Sequence, residues 1–250
     1  MEQMTLFELV RPRFEVNNKI RLIETFAGYG SQSMALKRLG ADFEHYRVYE
    51  IDRFAMASFN AVHGTNFEPT DIKTVKGVDM GIVDKERFTY LLTYSFPCTD
   101  ISIAGRMAGM AEGSDTRSSL LWEIKRILSE LAEINALPQV LVMENVTQIH
   151  SDDNILHFRK WVDFLTELGY TSYGEDLNAA DYGIPQHRER TFLVSLLGDY
   201  NYKFPVPIDT DYCIEDFFED MTEEQAEQFV MKSQKALELL VRLDDEERLN

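Results

Sequence analysis

The stretch IRLIETFAGYGS, residues 20–31, decides the fold of this chain. The apolar run over residues 20–26 predicts a buried strand, and Gly28 and Gly30 predict a turn that lets a ligand approach the backbone closely. Residues 33–39 carry apolar side chains and are followed by Gly40, which predicts a helix that ends there. A strand, a glycine turn and a helix form the first unit of a dinucleotide- or adenosine-binding fold.

A second predicted strand, over residues 46–49, ends in Glu50, Ile51 and Asp52. An acidic residue about 20 positions after a glycine turn is placed to accept hydrogen bonds from ribose hydroxyls. The pattern alone leaves two interpretations of Glu50 open, a ribose contact and a solvated surface acid. Ser33 replaces the third glycine of the dinucleotide fingerprint, although the turn by itself still permits a nicotinamide-dependent dehydrogenase.

Further strands are predicted over residues 88–96, 140–143, 170–178 and 191–196, with a loop or short strand at Asp71 and Ile72. Helices are predicted over residues 54–62, 120–134 and 155–168. Strands that alternate with helices in this way predict an α/β fold with a doubly wound, mostly parallel sheet. In such sheets, ligands and catalytic groups gather outside the carboxyl ends of the strands.

Cys98 follows an apolar strand and lies in a loop that Pro97 stiffens. A thiol at this place can act as a nucleophile, although a free cysteine more often packs as a small hydrophobic residue. The chain has only one other cysteine, Cys213, which excludes a disulfide framework and a zinc motif of paired cysteines; no pattern suggests a metal. Since we find no secretory signal and no membrane-spanning run, we expect a cytoplasmic protein.

The chain has 250 residues, of which 44% are hydrophobic, and this suits one large α/β domain or one domain with an appendage. We expect an N-terminal lead-in over residues 1–18, the main domain over 19–200, and an acidic extension over 201–250 with a helix at 223–248. The formal net charge of −18 disfavours nucleic acid binding, because Lys and Arg provide much of the affinity for phosphate. A nucleic-acid partner would require that the acidic surface faces elsewhere or that another polypeptide provides the basic surface.

Six motifs occur in one order, with sensible spacing, along residues 20–198. They are Phe26-Ala27-Gly28-x-Gly30, Glu50, Asp71-Ile72, Pro97-Cys98, Glu144-Asn145-Val146 and Gln186-x-Arg188-x-Arg190. The ordered set resembles the DNA cytosine-5 methyltransferases of bacteria and phages. This resemblance implies a Rossmann-like, S-adenosylmethionine-dependent methyltransferase fold. It also implies an enzyme that methylates C5 of cytosine in double-stranded DNA, as in restriction-modification systems.

The resemblance implies chemical roles for four side chains. The Cys98 thiolate would add to C6 of a cytosine flipped out of the duplex, because covalent addition activates C5 for methyl transfer. Glu144 would act at N3 as the general acid. Arg190, together with Arg188, would contact the base O2 and a nearby phosphate, or both would be ordinary surface cations.

Other motif residues are expected to bind the cofactor or to support the site. The expected cofactor-binding residues are Phe26, Ala27, Gly28, Gly30, Glu50, Ile51, Asp71, Ile72 and Pro97. Among these, the glycine turn would cradle S-adenosylmethionine, Glu50 would bind its ribose, and the pair at 71–72 its adenine. Asn145 would brace the Cys98 loop, with Val146 and Gln186 as further supporting residues, and His187 would point to solvent.

The sequence departs from the family pattern at two places. Thr99 stands where many members have glutamine, which leaves the nucleophile intact. No target-recognition domain and no second cofactor motif follow within residues 201–250. We therefore expect one subunit of a split restriction-modification or phage methyltransferase, with a second, more basic polypeptide as partner; a truncated product or a domain excerpt fits equally well. A non-catalytic methyltransferase-like binding or scaffold protein and an RNA cytosine-5 methyltransferase are the alternative functions.

Overall fold

The strands that the structure describes assemble into one six-stranded sheet. The computed structural model describes residues 11–98, 117–208 and 214–245. The strands are β1 (Lys19–Thr25), β2 (Phe43–Tyr49), β3 (Phe88–Tyr94), β4 (Val140–Asn145), β5 (Tyr170–Asn178) and β6 (Glu189–Leu197). Their order across the sheet is β2-β1-β3-β4-β6-β5; the first four pair in parallel, and β6 is antiparallel to both of its neighbours. The predicted α/β fold with a mostly parallel sheet is confirmed.

Helices follow the parallel strands. They are α1 (Ser31–Arg38), α2 (Arg53–His63), α3 (Leu121–Glu133) and α4 (Ile155–Glu167), with short 3₁₀ turns at Ile72–Thr74, Gly77–Met80, Arg117–Leu120, Thr147–His150 and Ala179–Tyr182. The Asp71 carboxylate accepts the Lys73 amide at 3.0 Å and so begins a 3₁₀ turn. Of the two expectations for Asp71 and Ile72, the short strand was therefore wrong, and the strand that leads to Cys98 is the third in the chain.

Helix α3 ties the segment at 71–80 to the main core. It buries a stripe of apolar side chains, Leu121, Ile124, Ile127, Leu128 and Leu131. On its other face, Arg126 pairs with Glu123 at 2.9 Å and Glu130 at 2.8 Å, and it donates to the Val75 carbonyl at 2.8 Å. Glu130 accepts the Gly77 amide at 2.6 Å. This amide and the Arg126 guanidinium hold the pKa of Glu130 below its usual range.

Residues 214–245 belong to a second compact unit. The sequence predicted one helix over residues 223–248, and that prediction was wrong, because the structure has two: α5 (Glu223–Glu227) and α6 (Gln234–Asp245). The Ser233 carbonyl accepts the amides of Ala236 and Leu237, so a new helix starts at a serine, a residue favoured at helix N-termini. Across the three described ranges, no helix is both long enough and apolar enough to cross a membrane.

Candidate active site

A first cavity of about 610 Å³ lies at the carboxyl ends of β1, β2 and β3. Its lining residues are Phe26, Tyr49, Glu50, Ile51, Asp52, Thr70, Asp71, Ile72, Lys73, Pro97 and Leu120. Six of the residues expected at the cofactor are in this set. The volume lies within the usual range for small-molecule sites, which is roughly 300–1,000 Å³. The cavity also lies where ligands bind in open α/β sheets.

Glu50 links the glycine turn to the end of β2. One of its carboxylate oxygens accepts the Gly28 amide at 2.9 Å, and the other accepts the Asp52 amide at 2.9 Å. Gly28 has a φ of 56°, a left-handed conformation that glycine adopts without a steric penalty. Because each ionised carboxylate oxygen has two lone pairs, Glu50 can still accept hydrogen bonds from a ligand in the cavity.

The opposite wall of the first cavity is the turn that begins at Asp71. The Thr70 amide donates to the Glu50 carbonyl at 2.7 Å, so this wall is joined to the end of β2. Ile72 is buried, and its carbonyl accepts from Arg126 at 3.3 Å. Hydrogen bonds from two neighbouring elements therefore place the apolar side chain of Ile72 and the Asp71 carboxylate at the cavity.

A second cavity, of about 640 Å³, contains the predicted general acid. Its lining residues are Phe26, Ala27, Gly28, Tyr29, Ser31, Gln32, Ala35, Ser95, Glu144, Leu177, Ala179, Tyr182, Arg188, Arg190, Phe192 and Pro205. Phe26 lines both cavities, so the two share a wall at the glycine turn. Its φ of 56° is unusual for a residue with a side chain.

Glu144 and Arg190 form an ion pair in the second cavity. The distance from Arg190 Nε to Glu144 Oε1 is 3.1 Å, and the two side chains are 23% and 24% exposed. In the β4–β6 ladder, Glu144 lies opposite Phe192. Arg190 precedes Phe192 by two residues in β6, and side chains two residues apart in a strand project from the same face of the sheet. The antiparallel pairing of β6 with β4 thus brings the acid and the arginine together.

The backbone that leads to Cys98 is held from two sides. Asn145 Nδ2 donates to the Phe96 carbonyl at 3.0 Å, and Ser118 Oγ donates to the Pro97 carbonyl at 2.8 Å. Cys98 is a free, half-buried cysteine that packs against the main core. Of the described residues that line either cavity, Pro97 is the one adjacent to Cys98 in the chain. Thr99 lies outside the described residues.

Several predicted residues lie away from both cavity linings. They are Cys98, Gly30, Asn145, Val146 and Gln186. Gln186 is exposed in the loop before β6, and the exposed His187 contacts the side chain of Asn178. Asn178 also accepts the Arg188 amide at 3.0 Å, which holds Arg188 at the rim of the second cavity. Within the described part of the chain, no group of three or more His, Cys, Asp or Glu side chains could hold a metal ion.

Ten residues of the second cavity were not among the predicted site residues: Tyr29, Ser31, Gln32, Ala35, Ser95, Leu177, Ala179, Tyr182, Phe192 and Pro205. Gln32 Nε2 donates to Ser95 Oγ at 3.2 Å, which joins α1 to the end of the segment before Pro97. Tyr182 donates to the Pro205 carbonyl at 3.0 Å. Phe192 could have been found, because it follows Arg190 by two positions in an alternating strand. The contacts of Gln32 with Ser95 and of Tyr182 with Pro205 join elements that are distant in sequence, and we see no sequence signal for these four residues.

Comparisons with known proteins agree on one family. The family model for C-5 cytosine-specific DNA methylases matches residues 20–249, which extends beyond the last motif found in the sequence. The type II methyltransferase M2.ScrFI of Lactococcus lactis subsp. cremoris is 32% identical over 262 residues, covering 86% of this chain and 71% of the relative. The orphan methyltransferase M.SssI of Spiroplasma monobiae is 42% identical over 236 residues, covering 73% of this chain and 60% of the relative.

Solved structures share the fold at low sequence identity. The Dnmt2 methyltransferase of S. pombe has a TM-score of 0.56 at 22% identity, covering 87% of this chain and 56% of that chain. The Entamoeba histolytica methyltransferase EhMeth has a TM-score of 0.65 at 16% identity, covering 83% and 62%. This chain therefore spans less than two thirds of M.SssI and of both solved chains.

Proposed function

The chain belongs to the C-5 cytosine-specific DNA methylase family, and from this premise we propose that it transfers a methyl group from S-adenosylmethionine to C5 of cytosine in DNA. The observation that carries the proposal is the pair of cavities that meet at Phe26. One cavity has the lining expected for the cofactor, and the other holds a carboxylate and an arginine for a base. Pro97, in the wall of the first cavity, precedes the cysteine that would attack that base.

The first cavity has a volume and hydrogen-bonding groups that suit the cofactor. Glu50 would accept hydrogen bonds from the ribose hydroxyls, since it retains free lone pairs. Ile72, Pro97 and Leu120 provide apolar surface for an adenine ring. When bound, S-adenosylmethionine supplies a methyl group on a positively charged sulfur. Because Phe26 borders both cavities, it would lie close to the path between that methyl group and the base.

In the second cavity, this chain's residues would activate the cytosine. The Cys98 thiolate would form a bond to C6, and the electrons displaced from the C5–C6 double bond would be accommodated at N3. Glu144 would hold a proton at N3, and Arg190 would keep the carboxylate in place while contacting O2. After methyl transfer to C5, loss of the C5 proton would expel Cys98 and restore the ring. The base must leave the duplex for this to happen.

The net charge of −18 leaves this chain short of the Lys and Arg that provide much of the affinity for DNA. We propose a second, more basic polypeptide that carries target recognition and the rest of the cofactor site, as in a split restriction-modification or phage methyltransferase. Exposed apolar side chains in the C-terminal unit support this, since an uncovered apolar surface often marks an interface. They include Phe217, Phe218, Phe229, Val230 and Val241. A continuation of the same chain would serve equally.

Two measurements test the proposal. Calorimetric titration with S-adenosylmethionine should show binding to the chain as it stands. Duplex DNA containing 5-fluorocytosine should then form a covalent adduct, because the fluorine cannot be lost as a proton and the enzyme stays attached. Cys98→Ser should abolish the adduct, and Cys213→Ser, the matched control, should preserve it. Absence of cofactor binding together with absence of an adduct, both with and without lysate, would overturn the proposal.

The trapping reaction should be run with the chain alone and with lysate of the source cells. An adduct that requires lysate supports a second polypeptide, and an adduct formed equally well by the chain alone contradicts it. Adduct formation on 5-fluorocytosine RNA but not on DNA would identify an RNA methyltransferase instead. Cofactor binding without an adduct under any condition would indicate a non-catalytic binding protein.

A further inference from the structure

Behind the glycine turn, polar side chains from four elements form one connected chain. Glu24 of β1 accepts hydrogen bonds from the Ser33 amide, at 3.2 Å, and from the Ser33 hydroxyl. That hydroxyl lies 2.9 Å from His45 Nδ1, and the rings of His45 and His63 have centroids 4.9 Å apart. His63 Nε2 lies 3.0 Å from the carbonyl oxygen of Tyr29, within the turn. We call Glu24, Ser33, His45 and His63 the turn cluster.

Glu24 takes the place of a helix cap. Helix α1 begins after Gly30, which makes no side-chain cap bond, so the first amides of the helix need another acceptor. Glu24 provides one by accepting the Ser33 amide from the neighbouring strand. Both side chains are fully buried, and a buried polar group is costly unless it is paired. This pairing attaches the helix after the turn to the strand before it.

His63 holds the turn from the other side. A Cβ atom on Gly30 would lie 2.3 Å from His63 Nε2 and 2.6 Å from Phe59, so the imidazole is in direct contact with the turn backbone. Because the Tyr29 carbonyl accepts, His63 Nε2 must carry a hydrogen. The His63 ring therefore contacts the turn at Tyr29 and Gly30, three and four residues after Phe26, which lines both cavities.

We infer that His63, fixed by the turn cluster, is a positioning residue that holds the glycine turn in the conformation that S-adenosylmethionine needs. The inference rests on the proposed function, because it concerns the affinity of the same cofactor site. The turn reaches that site through Phe26, which lines the first cavity, and through the Gly28 amide, which donates to Glu50 at 2.9 Å.

The test measures the cofactor dissociation constant by calorimetry at pH 7.5. His63→Gln can still donate to the Tyr29 carbonyl, so it should keep the affinity of the wild type. His63→Ala, which lacks the donor, should bind about tenfold more weakly. The matched control, His187→Ala, should behave as the wild type.

A second readout uses no cofactor. Hydrogen exchange of the backbone amides at 27–31 should be faster in His63→Ala than in the wild type, and unchanged in His63→Gln. If the wild type binds the cofactor while His63→Ala changes neither the affinity nor the exchange rates, the inference is overturned and the proposed function stands. Cofactor binding by His63→Gln that is as weak as that by His63→Ala also overturns it. If the wild type does not bind the cofactor, the exchange rates alone decide the inference, and unchanged rates in His63→Ala overturn it.

Discussion

The two cavities that meet at Phe26 are built in different ways. The first has carboxylates in its wall that accept hydrogen bonds from backbone amides: Glu50 accepts from Gly28 and Asp52, and Asp71 accepts from Lys73. Charged groups around this cavity thus have partners that belong to the protein. A ligand can bind there without breaking these hydrogen bonds, so the cavity is preorganised for its ligand.

The second cavity is lined by the glycine turn, α1 and connecting segments, together with side chains that project from β4, β5 and β6. Its two central charges, Glu144 and Arg190, are paired with each other at 3.1 Å. A base that contacts either of them must share or replace that ion pair. The comparison teaches that cofactor binding and base activation depend on different parts of this chain, so a substitution in one cavity should leave the other function intact.

Glu144→Gln has the largest expected effect and tests this separation directly. Loss of the proposed general acid should lower the methylation rate by a factor of about 10² to 10⁴. Cofactor affinity should stay within about twofold, since well-separated sites behave independently. Single-turnover methylation and calorimetry measure the two quantities, with Glu167→Gln on the exposed end of α4 as the control. An equal loss of rate and cofactor affinity would show that the two cavities are not independent.

Glu24→Gln tests how the wall shared by the cavities is supported. Burial raises the pKa of Glu24 from 4.5 to about 7, so the folded state binds this proton more tightly than the unfolded state. The free energy of unfolding should therefore fall as the pH rises from about 4.5 through about 7, by about 3 kcal/mol in total. Glutamine does not titrate but can still accept the Ser33 amide and donate to its hydroxyl, so the variant should lack this decrease.

Urea denaturation of the wild type and Glu24→Gln at pH 5 and pH 8 measures the difference. The variant should gain stability relative to the wild type as the pH rises, whereas the exposed control Glu86→Gln should follow the wild type. A constant difference between Glu24→Gln and the wild type across this range would contradict the raised pKa of Glu24.

Arg126→Met has the smallest expected effect and is confined to the first cavity. The side chain is 35% exposed, so its ion pairs with Glu123 and Glu130 contribute little, but its hydrogen bonds to the Ile72 and Val75 carbonyls hold the cavity wall. Loss of these bonds should weaken cofactor binding by about tenfold. Methylation at saturating cofactor should be unchanged, and Arg159→Met on α4 serves as the surface control. A lower saturated rate would argue against separate cavities.

Much of the site could be predicted from the sequence because its parts lie at the ends of local patterns. Strand periodicity and the glycine turn located the first cavity, and six of its lining residues were expected. Residues such as Glu144 were found because they directly follow an apolar strand. The motifs at these positions occur in the same order as in the methylase family, and this order identified the family. Composition and periodicity alone do not identify it.

Other features could not be predicted, because they depend on contacts between distant parts of the chain. The prediction of a single acidic helix over residues 223–248 was wrong, because the helical periodicity of the sequence does not show that a new helix begins at Ser233. The turn cluster was also not predicted: in the sequence, Glu24 is one polar residue within an apolar strand, and His45 and His63 have no shared motif. Only the packing of α1 and α2 against β1 and β2 makes them neighbours.

The sequence by itself determined the α/β class, the family and the order of the motif residues, because strand periodicity, turn glycines and short motifs are local properties. The tertiary structure decided which of those residues meet. The antiparallel placement of β6 beside β4 pairs Arg190 with Glu144, and burial changes the proton affinity of Glu24. The physical reason is that hydrogen bonding, ion pairing and desolvation act through space, between residues whose separation along the chain carries no information about their distance.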